Sequence, residues 1–320
     1  MSIFYHTSFA SPVADSASTY CLWSDDPYLS SKLLAAIASE ASNRHLPVYS
    51  YYDPLMPSLP VGLQVDSIGK FTTSPDSLSR GAQLIDATVI AKQAARPWEQ
   101  LQSIAQEKER LAECIGKLVD CLKAQTDLCK SLSAPMVMTK ELTQKAIRIA
   151  QKVKGGCGKQ TVVPIFSYQG ANKLYRLPFG KEVEIVSIEG HYHLPELFLD
   201  ALLSALERRS CECVRLEDAI THEPMGAWLP DDGRCYLLRA PDELCHGKRS
   251  LSRYLAPHTQ SHRHNHRSLQ AACKGWQERL ILIVGEYQSL CAKEEALYAP
   301  LYENDRLQSF RKRLLIDLFC

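Results

Sequence analysis

The sequence repeats itself at one fixed offset, and this constrains the fold more than any other feature. The offset is the one that places Leu33 on Phe198, and over most of the chain it places apolar residues on apolar residues. The same shift brings the dipeptide Ala-Pro at 134–135 onto Ala-Pro at 299–300. We call this shift the repeat offset, and we predict two diverged copies of one domain.

Each copy begins with short apolar strands around an amphipathic helix and ends in long helical stretches rich in Glu, Lys, Leu and Ala. Strand–helix–strand is typical of a parallel sheet. We predict an α/β fold of two tandem domains, each a parallel sheet with flanking helices and a long helical hairpin. The predicted repeats are 1–155, with its core at about 1–90 and its hairpin at about 95–153, and 160–320, with its core at about 160–250 and its hairpin at about 265–320.

Composition narrows the classes of partner. The chain is 45% hydrophobic, which is enough to bury a sizeable core. Its formal net charge is only +1, so bulk electrostatics give no reason to expect nucleic acid or an anionic membrane surface as a partner. No apolar run approaches the roughly 18 residues that a membrane span requires. We predict neither a nucleic-acid partner nor membrane insertion.

The twelve cysteines are scattered and form no Cys-x-x-Cys pair. The N-terminal residues do not have the pattern of a secretory signal. These features predict reduced thiols in a cytoplasmic protein. Cys114 and Cys121 are one heptad apart in a helical pattern, and we expect them to be small buried apolar side chains.

The segment KGGCGKQT at 154–161 is one residue away from the phosphate-binding loop of many ATPases. Such a loop must follow a strand and precede a helix, so that backbone N–H groups converge on the phosphates. Here it follows a predicted helix and precedes the extended TVVPIF, and Gln160 stands where Ser or Thr would hold Mg²⁺. We interpret it as a linker, with Gly155 and Gly156 ending the helix.

A phosphate loop belongs instead at the predicted strand-to-helix turns, SDDPYLSS at 24–31 and EGHYHLPE at 189–196. The layout around these turns resembles a group of uncharacterised bacterial proteins made of two tandem P-loop NTPase-like domains, each with a helical hairpin. The resemblance rests on LLAAI at 33–37, FLDAL at 198–202, YYDPLMP at 51–57, FTTS at 71–74 and the C-terminal helices. It implies a glycine-rich loop that binds ATP with Mg²⁺ at each turn.

Both turns depart from that family pattern. Ser30 and Pro195 stand where the phosphate-binding Lys is expected, and Leu29 and Leu194 replace the preceding Gly. Without that lysine and with bulky side chains near the backbone, neither turn is expected to hold ATP in the usual way. We expect no cofactor, and keep ATP with Mg²⁺ as the alternative. The candidate ligand-binding residues at the two turns are Ser30, Ser31, Lys32, His191 and His193.

The segment PHTQSHRHNH carries His258, His262, His264 and His266. In an extended backbone, His262, His264 and His266 would lie on one face and could bind a metal such as Zn²⁺. The alternative interpretation is a solvated loop before the next helix. Asp53 and Asp218, at equivalent strand ends, likewise suit either a metal-associated carboxylate or ordinary turn chemistry.

These observations favour a catalytically degenerate, duplicated P-loop NTPase-like protein that acts as a structural or regulatory binding module. We assign no catalytic residues. The expected partner is another protein, or a second copy, bound through the helical hairpins. The two alternatives are an ATPase with an unorthodox phosphate loop and a metal-binding protein that uses His258–His266.

Overall fold

The computed structural model describes residues 2–5, 18–73, 82–91, 96–156, 158, 160–169, 172–179, 182–255 and 263–320. Contacts divide the chain into two units. Unit 1 comprises Met1–Cys114, Ser167–Pro178 and Leu282–Cys320, and unit 2 comprises Ile115–Phe166 and Phe179–Ile281.

Unit 1 contains a six-stranded sheet in the order β1-β3-β4-β5-β2-β6. The strands are β1 (Ser2–Tyr5), β2 (Thr19–Trp23), β3 (Val48–Asp53), β4 (Met56–Val65), β5 (Gly69–Thr72) and β6 (Gln83–Asp86). Helix α1 (Pro27–Asn43) joins β2 to β3. Its apolar residues recur at helical spacing, and the stripe of Leu29, Leu33 and Ile37 is buried in the core of the unit.

The second sheet has the order β13-β9-β12-β11-β10-β7-β8. Its strands are β7 (Gln160–Gln169), β8 (Asn172–Tyr175), β9 (Glu184–Glu189), β10 (Cys213–Asp218), β11 (Pro224–Leu229), β12 (Arg234–Leu238) and β13 (Gly247–Ser250). Helix α4 (Leu194–Arg208) joins β9 to β10, and Phe198, Leu199 and Leu202 are buried in the core of unit 2.

The two sheets share one strand order, since β1-β3-β4-β5-β2-β6 corresponds to β7-β10-β11-β12-β9-β13. In both, the first four neighbouring pairs run parallel, antiparallel, antiparallel and parallel, and the last pair is parallel. The sheets are therefore mixed, and the prediction of a parallel sheet is wrong in this respect. The reason is that the Pro/Gly-rich passage after β3 forms a strand, β4, which returns antiparallel through a short turn.

Each repeat contains one helix of 36 residues, α2 (Trp98–Ser133) in the first and α5 (Arg263–Tyr298) in the second. Residue 98 coincides with residue 263 at the repeat offset, and residue 133 with residue 298, so the two helices begin and end at equivalent positions. Each contributes to both units. Residues 98–114 of α2 and 282–298 of α5 belong to unit 1, and the remaining halves belong to unit 2.

The last helix of each repeat packs against the core of the other repeat. Helix α3 (Thr139–Ala150) packs against α4 in unit 2, and α6 (Asn304–Phe319) packs against α1 in unit 1. The buried residues of α3 include Leu142 and Ile149, while Leu314 of α6 lies in the core of unit 1. The repeat boundaries are defined by sequence and stay a prediction.

Among the residues described, no helix is both long enough and apolar enough to cross a membrane. The eleven cysteines that the structure describes are free thiols. The expectation that Cys114 and Cys121 are buried is wrong, because both are exposed on α2. A heptad spacing places two residues on one helix face, but it does not decide which face packs.

Candidate functional site

The turn from β2 into α1 is capped by its own carboxylate. Asp26 is the N-cap residue, and its Oδ1 accepts a hydrogen bond of 2.8 Å from the backbone N–H of Tyr28. The Asp26 residue is only 4% exposed, and burial raises the pKa of its carboxyl above the ordinary value. An acidic N-cap occupies the place where a helix N-terminus would otherwise attract a phosphate.

The candidate residues at this turn make other contacts. Ser30 lies on α1 and is buried, with 2% of its surface exposed. Ser31 Oγ donates to the Pro27 carbonyl at 3.0 Å, a hydrogen bond back along the helix. Lys32 Nζ lies 2.7 Å from Glu295 Oε1 of α5. The structure therefore does not bring Ser30, Ser31 and Lys32 together around one space.

The turn from β9 into α4 has an unusual backbone. Tyr192 and His193 both have positive φ angles, 55° and 54°, and His193 occupies the N-cap position of α4. Side chains with a Cβ rarely adopt this left-handed conformation, so the turn carries local strain. Pro195 follows in the first turn and has no N–H to offer an anion. His191 is exposed.

Glu196 occupies the first turn of α4 and is paired with Arg239. The Arg239 guanidinium donates to both carboxylate oxygens of Glu196, at 2.7 and 3.3 Å. Burial alone would raise the pKa of Glu196, but the charge and hydrogen bonds of Arg239 hold it below its ordinary value. His193 Nδ1 lies 3.7 Å from Glu196 Oε1, while burial lowers the pKa of the His193 ring. His193 thus lies beside a carboxylate that already has a cationic partner.

The structure adds two residues to the first turn that sequence reasoning missed. Glu294 of α5 accepts hydrogen bonds at Oε2 from Tyr28 Oη, at 2.6 Å, and from Lys108 Nζ of α2, at 2.7 Å. Burial and the Glu294 carboxylate raise the pKa of Tyr28 far above its ordinary value. In unit 1, Glu294 therefore ties the three helices α1, α2 and α5 together through the buried Tyr28 hydroxyl and the half-buried Lys108 ammonium.

Two cysteines occupy the equivalent positions in unit 2. Cys129 of α2 and Cys273 of α5 have their Sγ atoms 3.8 Å apart. At the repeat offset, Cys129 corresponds to Glu294 and Cys273 to Lys108. Burial, then Cys273 and Glu196, raise the pKa of the Cys129 thiol to about 12. His193 is the counterpart of Tyr28 in this alignment.

A sequence signal for these clusters exists in the repeat offset itself. It places Lys108 on Cys273 and Glu294 on Cys129, so each repeat carries one charged residue and one cysteine at these positions. The two charged residues lie in unit 1 and the two cysteines in unit 2. Nothing in either helix alone indicates that positions 144 or 186 residues apart meet.

The segment at 154–161 follows α3 and leads into β7, which begins at Gln160, and this confirms the helix-to-strand prediction. The backbone N–H groups of Gly156 and Gly158 both donate to the Ser210 carbonyl, at 3.2 Å. They are therefore bonded to the protein's own backbone. The expectation that Gly155 and Gly156 end the helix is wrong, since α3 ends at Ala150.

The two aspartates at the strand ends form turns. Asp53 Oδ1 accepts from the Leu55 N–H at 2.7 Å, and Asp218 Oδ1 accepts from the N–H groups of Ile220 and Thr221, each at 2.8 Å. This is ordinary Asx-turn chemistry, one of the two interpretations kept open.

Of the histidine cluster, His258 and His262 lie outside the described residues. The backbone at His264 and His266 belongs to the first turn of α5 and is helical instead of extended. Within the described ranges, no three His, Cys, Asp or Glu side chains are grouped closely enough to hold a metal ion. Metal binding by His262, His264 and His266 stays a prediction.

Comparison with known proteins identifies no relative: no protein-family model, no curated protein and no solved structure matches this chain.

Proposed function

We propose that the chain is a nucleotide-free binding module, a duplicated P-loop NTPase-like scaffold whose two phosphate-loop positions are degenerate. The observation that carries this proposal is the Asp26 carboxylate on the N-terminus of α1. A triphosphate at that turn would have to displace a buried cap and would face its negative charge.

The second turn supports the same proposal by a different arrangement. Glu196 stands in the first turn of α4 and takes up the Arg239 guanidinium, which would otherwise be available to a phosphate. Pro195 removes one N–H from the helix N-terminus. Duplication is supported by the shared strand order of the two sheets and by long helices that begin and end at equivalent positions.

The partner in this proposal is another protein chain bound along the long helices. Large apolar side chains of α2 and α5 are exposed: Trp98, Leu128, Leu132 and Leu282. Within unit 1, the two helices also border an open groove of about 590 Å³. The residues that line it are Glu99, Gln100, Ser103, Ile104, Lys293, Ala296 and Leu297. We propose a cytoplasmic location, on the basis of the scattered free thiols.

The test is nucleotide binding by the full chain. A nucleotide present at 100 times its dissociation constant would stabilise the folded state by about 2.7 kcal/mol. Binding would therefore raise the melting temperature measurably. We expect no change in melting temperature with Mg-ATP or Mg-GTP, and no phosphate release above background. A saturable increase in melting temperature would contradict the proposal.

Lysine variants distinguish the ATPase alternative from a contaminating activity. If the chain is an ATPase with an unorthodox phosphate loop, Lys32→Ala should abolish the measured turnover, because Lys32 is the candidate lysine at the first turn. Lys140→Ala, at an exposed lysine of α3, is the matched control. Loss of turnover in Lys32→Ala alone would establish an active site with displaced chemistry.

A further inference from the structure

Cys129 and Cys273 are positioned as a dithiol. Their Sγ atoms are 3.8 Å apart although the residues are 144 positions apart in sequence. A disulfide bond is about 2.05 Å long. The two sulfur atoms would have to approach each other by less than about 2 Å to form one. Both residues belong to unit 2 and lie on different long helices.

The two thiols differ in access to solvent. Cys129 is buried, with 0% exposure, whereas Cys273 is half-buried. Cys273 is therefore the more accessible of the two residues to a small oxidant, and Cys129 is placed beside it as the resolving thiol. This is the arrangement in which a sulfenic acid is converted into a disulfide.

The equivalent position in unit 1 indicates what the pair does. There, Lys108 and Glu294 link α2 to α5 by an ion pair with a distance of 2.7 Å, which holds regardless of redox conditions. In unit 2 the same two positions carry thiols, so the corresponding link depends on oxidation.

We propose that Cys129 and Cys273 form a redox-sensitive site, at which a peroxide oxidises the two thiols to a disulfide that cross-links α2 to α5. This inference is independent of the proposed absence of nucleotide binding.

The reaction balances with a peroxide as oxidant. The Cys273 thiol loses its proton and its sulfur attacks one peroxide oxygen. The O–O bond breaks, Cys273 becomes a sulfenic acid, and the departing hydroxide takes up the thiol proton and leaves as water. The Cys129 sulfur then attacks the Cys273 sulfur, the S–O bond breaks, and the hydroxyl leaves as water with the Cys129 proton. Two thiols lose two electrons and hydrogen peroxide gains them, giving one disulfide and two water molecules.

The test uses the full, reduced chain treated with hydrogen peroxide, alkylated and digested for mass spectrometry. We expect a Cys129–Cys273 peptide pair that dithiothreitol removes, together with faster migration on a non-reducing gel because a 144-residue segment is closed. Oxidation should also raise the melting temperature, because the cross-link restricts the unfolded chain.

Two variants make the result specific. Cys273→Ser should lose the peptide pair, the gel shift and the rise in melting temperature. Cys114→Ser, at an exposed thiol of α2, should keep all three. If Cys273→Ser does not fold, the mass spectrum of the peroxide-treated native protein is the test. Oxidation of Cys273 to sulfinic acid without any link to Cys129 would overturn the proposal. Formation of the same pair to the same extent in urea would also overturn it, since the folded geometry would then be irrelevant.

Discussion

At the scale of single residues, two neighbours on α5 have different environments. The side chain of Glu294 is 10% exposed and binds Lys108 and Tyr28, whereas that of Glu295 is 36% exposed and pairs with Lys32. Breaking a buried charge pair leaves an uncompensated charge in a poorly solvated place, which costs far more than the loss of a surface pair.

We predict that Glu294→Ala lowers the free energy of unfolding by about 3 kcal/mol, since it leaves the Lys108 ammonium without its carboxylate. Glu295→Ala is the matched control and should cost less than about 1 kcal/mol. Urea denaturation of both variants measures the difference. Replacing both partners, as Lys108→Met with Glu294→Leu, should recover most of the loss, and equal effects of the two single variants would contradict the burial of this cluster.

At the scale of elements, the glycine-rich connection between α3 and β7 is explained by packing. A Cβ at Gly158 would collide with the backbone of Cys211 and Glu212. The glycine there permits close approach of two backbone segments, which is a use of glycine distinct from cradling a phosphate.

We predict that Gly158→Ala destabilises the fold by about 1–3 kcal/mol, as overpacking typically does, and that it leaves the response to Mg-ATP unchanged. Gly275→Ala in α5 is the control, because a Cβ there meets no atom within 4 Å and alanine is the better helix former. It should stabilise by up to about 1 kcal/mol. Thermal denaturation of both variants is the measurement, and a neutral Gly158→Ala would show that the loop is not tightly packed.

At the scale of the whole molecule, the two repeats depend on each other. The α3 residues Leu142, Ala146 and Ile149 are buried in unit 2, against the core that follows them in sequence. Leu314 of α6 is buried in unit 1, against the core that comes first. Each repeat by itself would expose an apolar helix face and lack the helix that covers its own core.

We predict that residues 1–155 and 160–320, produced separately, do not behave as stable monomers, and that together they form a complex of one copy each. Light scattering gives the masses, and calorimetry shows whether a cooperative transition appears only in the mixture. Two separately stable monomers with cooperative unfolding would contradict the exchange of final helices.

The sequence by itself determined part of the elements, although it did not indicate β4. Apolar spacing predicted an amphipathic helix between short strands in each repeat, and these helices are α1, between β2 and β3, and α4, between β9 and β10. Each Ala-Pro dipeptide comes directly after the last residue of a long helix. These are local signals, since periodicity and proline geometry act within one or two turns of chain. The sequence also indicated the repeat offset, and the ends of α2 and α5 are separated by that same offset.

Only the tertiary structure decided which last helix covers which core. The repeat offset places Leu142 of α3 on Leu307 of α6 and Ile149 on Leu314, so these apolar positions do not by themselves select one core over the other. For the same reason the candidate site could not be assembled from sequence: Lys108 with Glu294, and Cys129 with Cys273, meet only when residues 98–133 and 263–298 form helices that pack together within each unit. Periodicity defines a face to be buried, whereas the partner of that face is selected by shape and chain connectivity over long stretches of sequence.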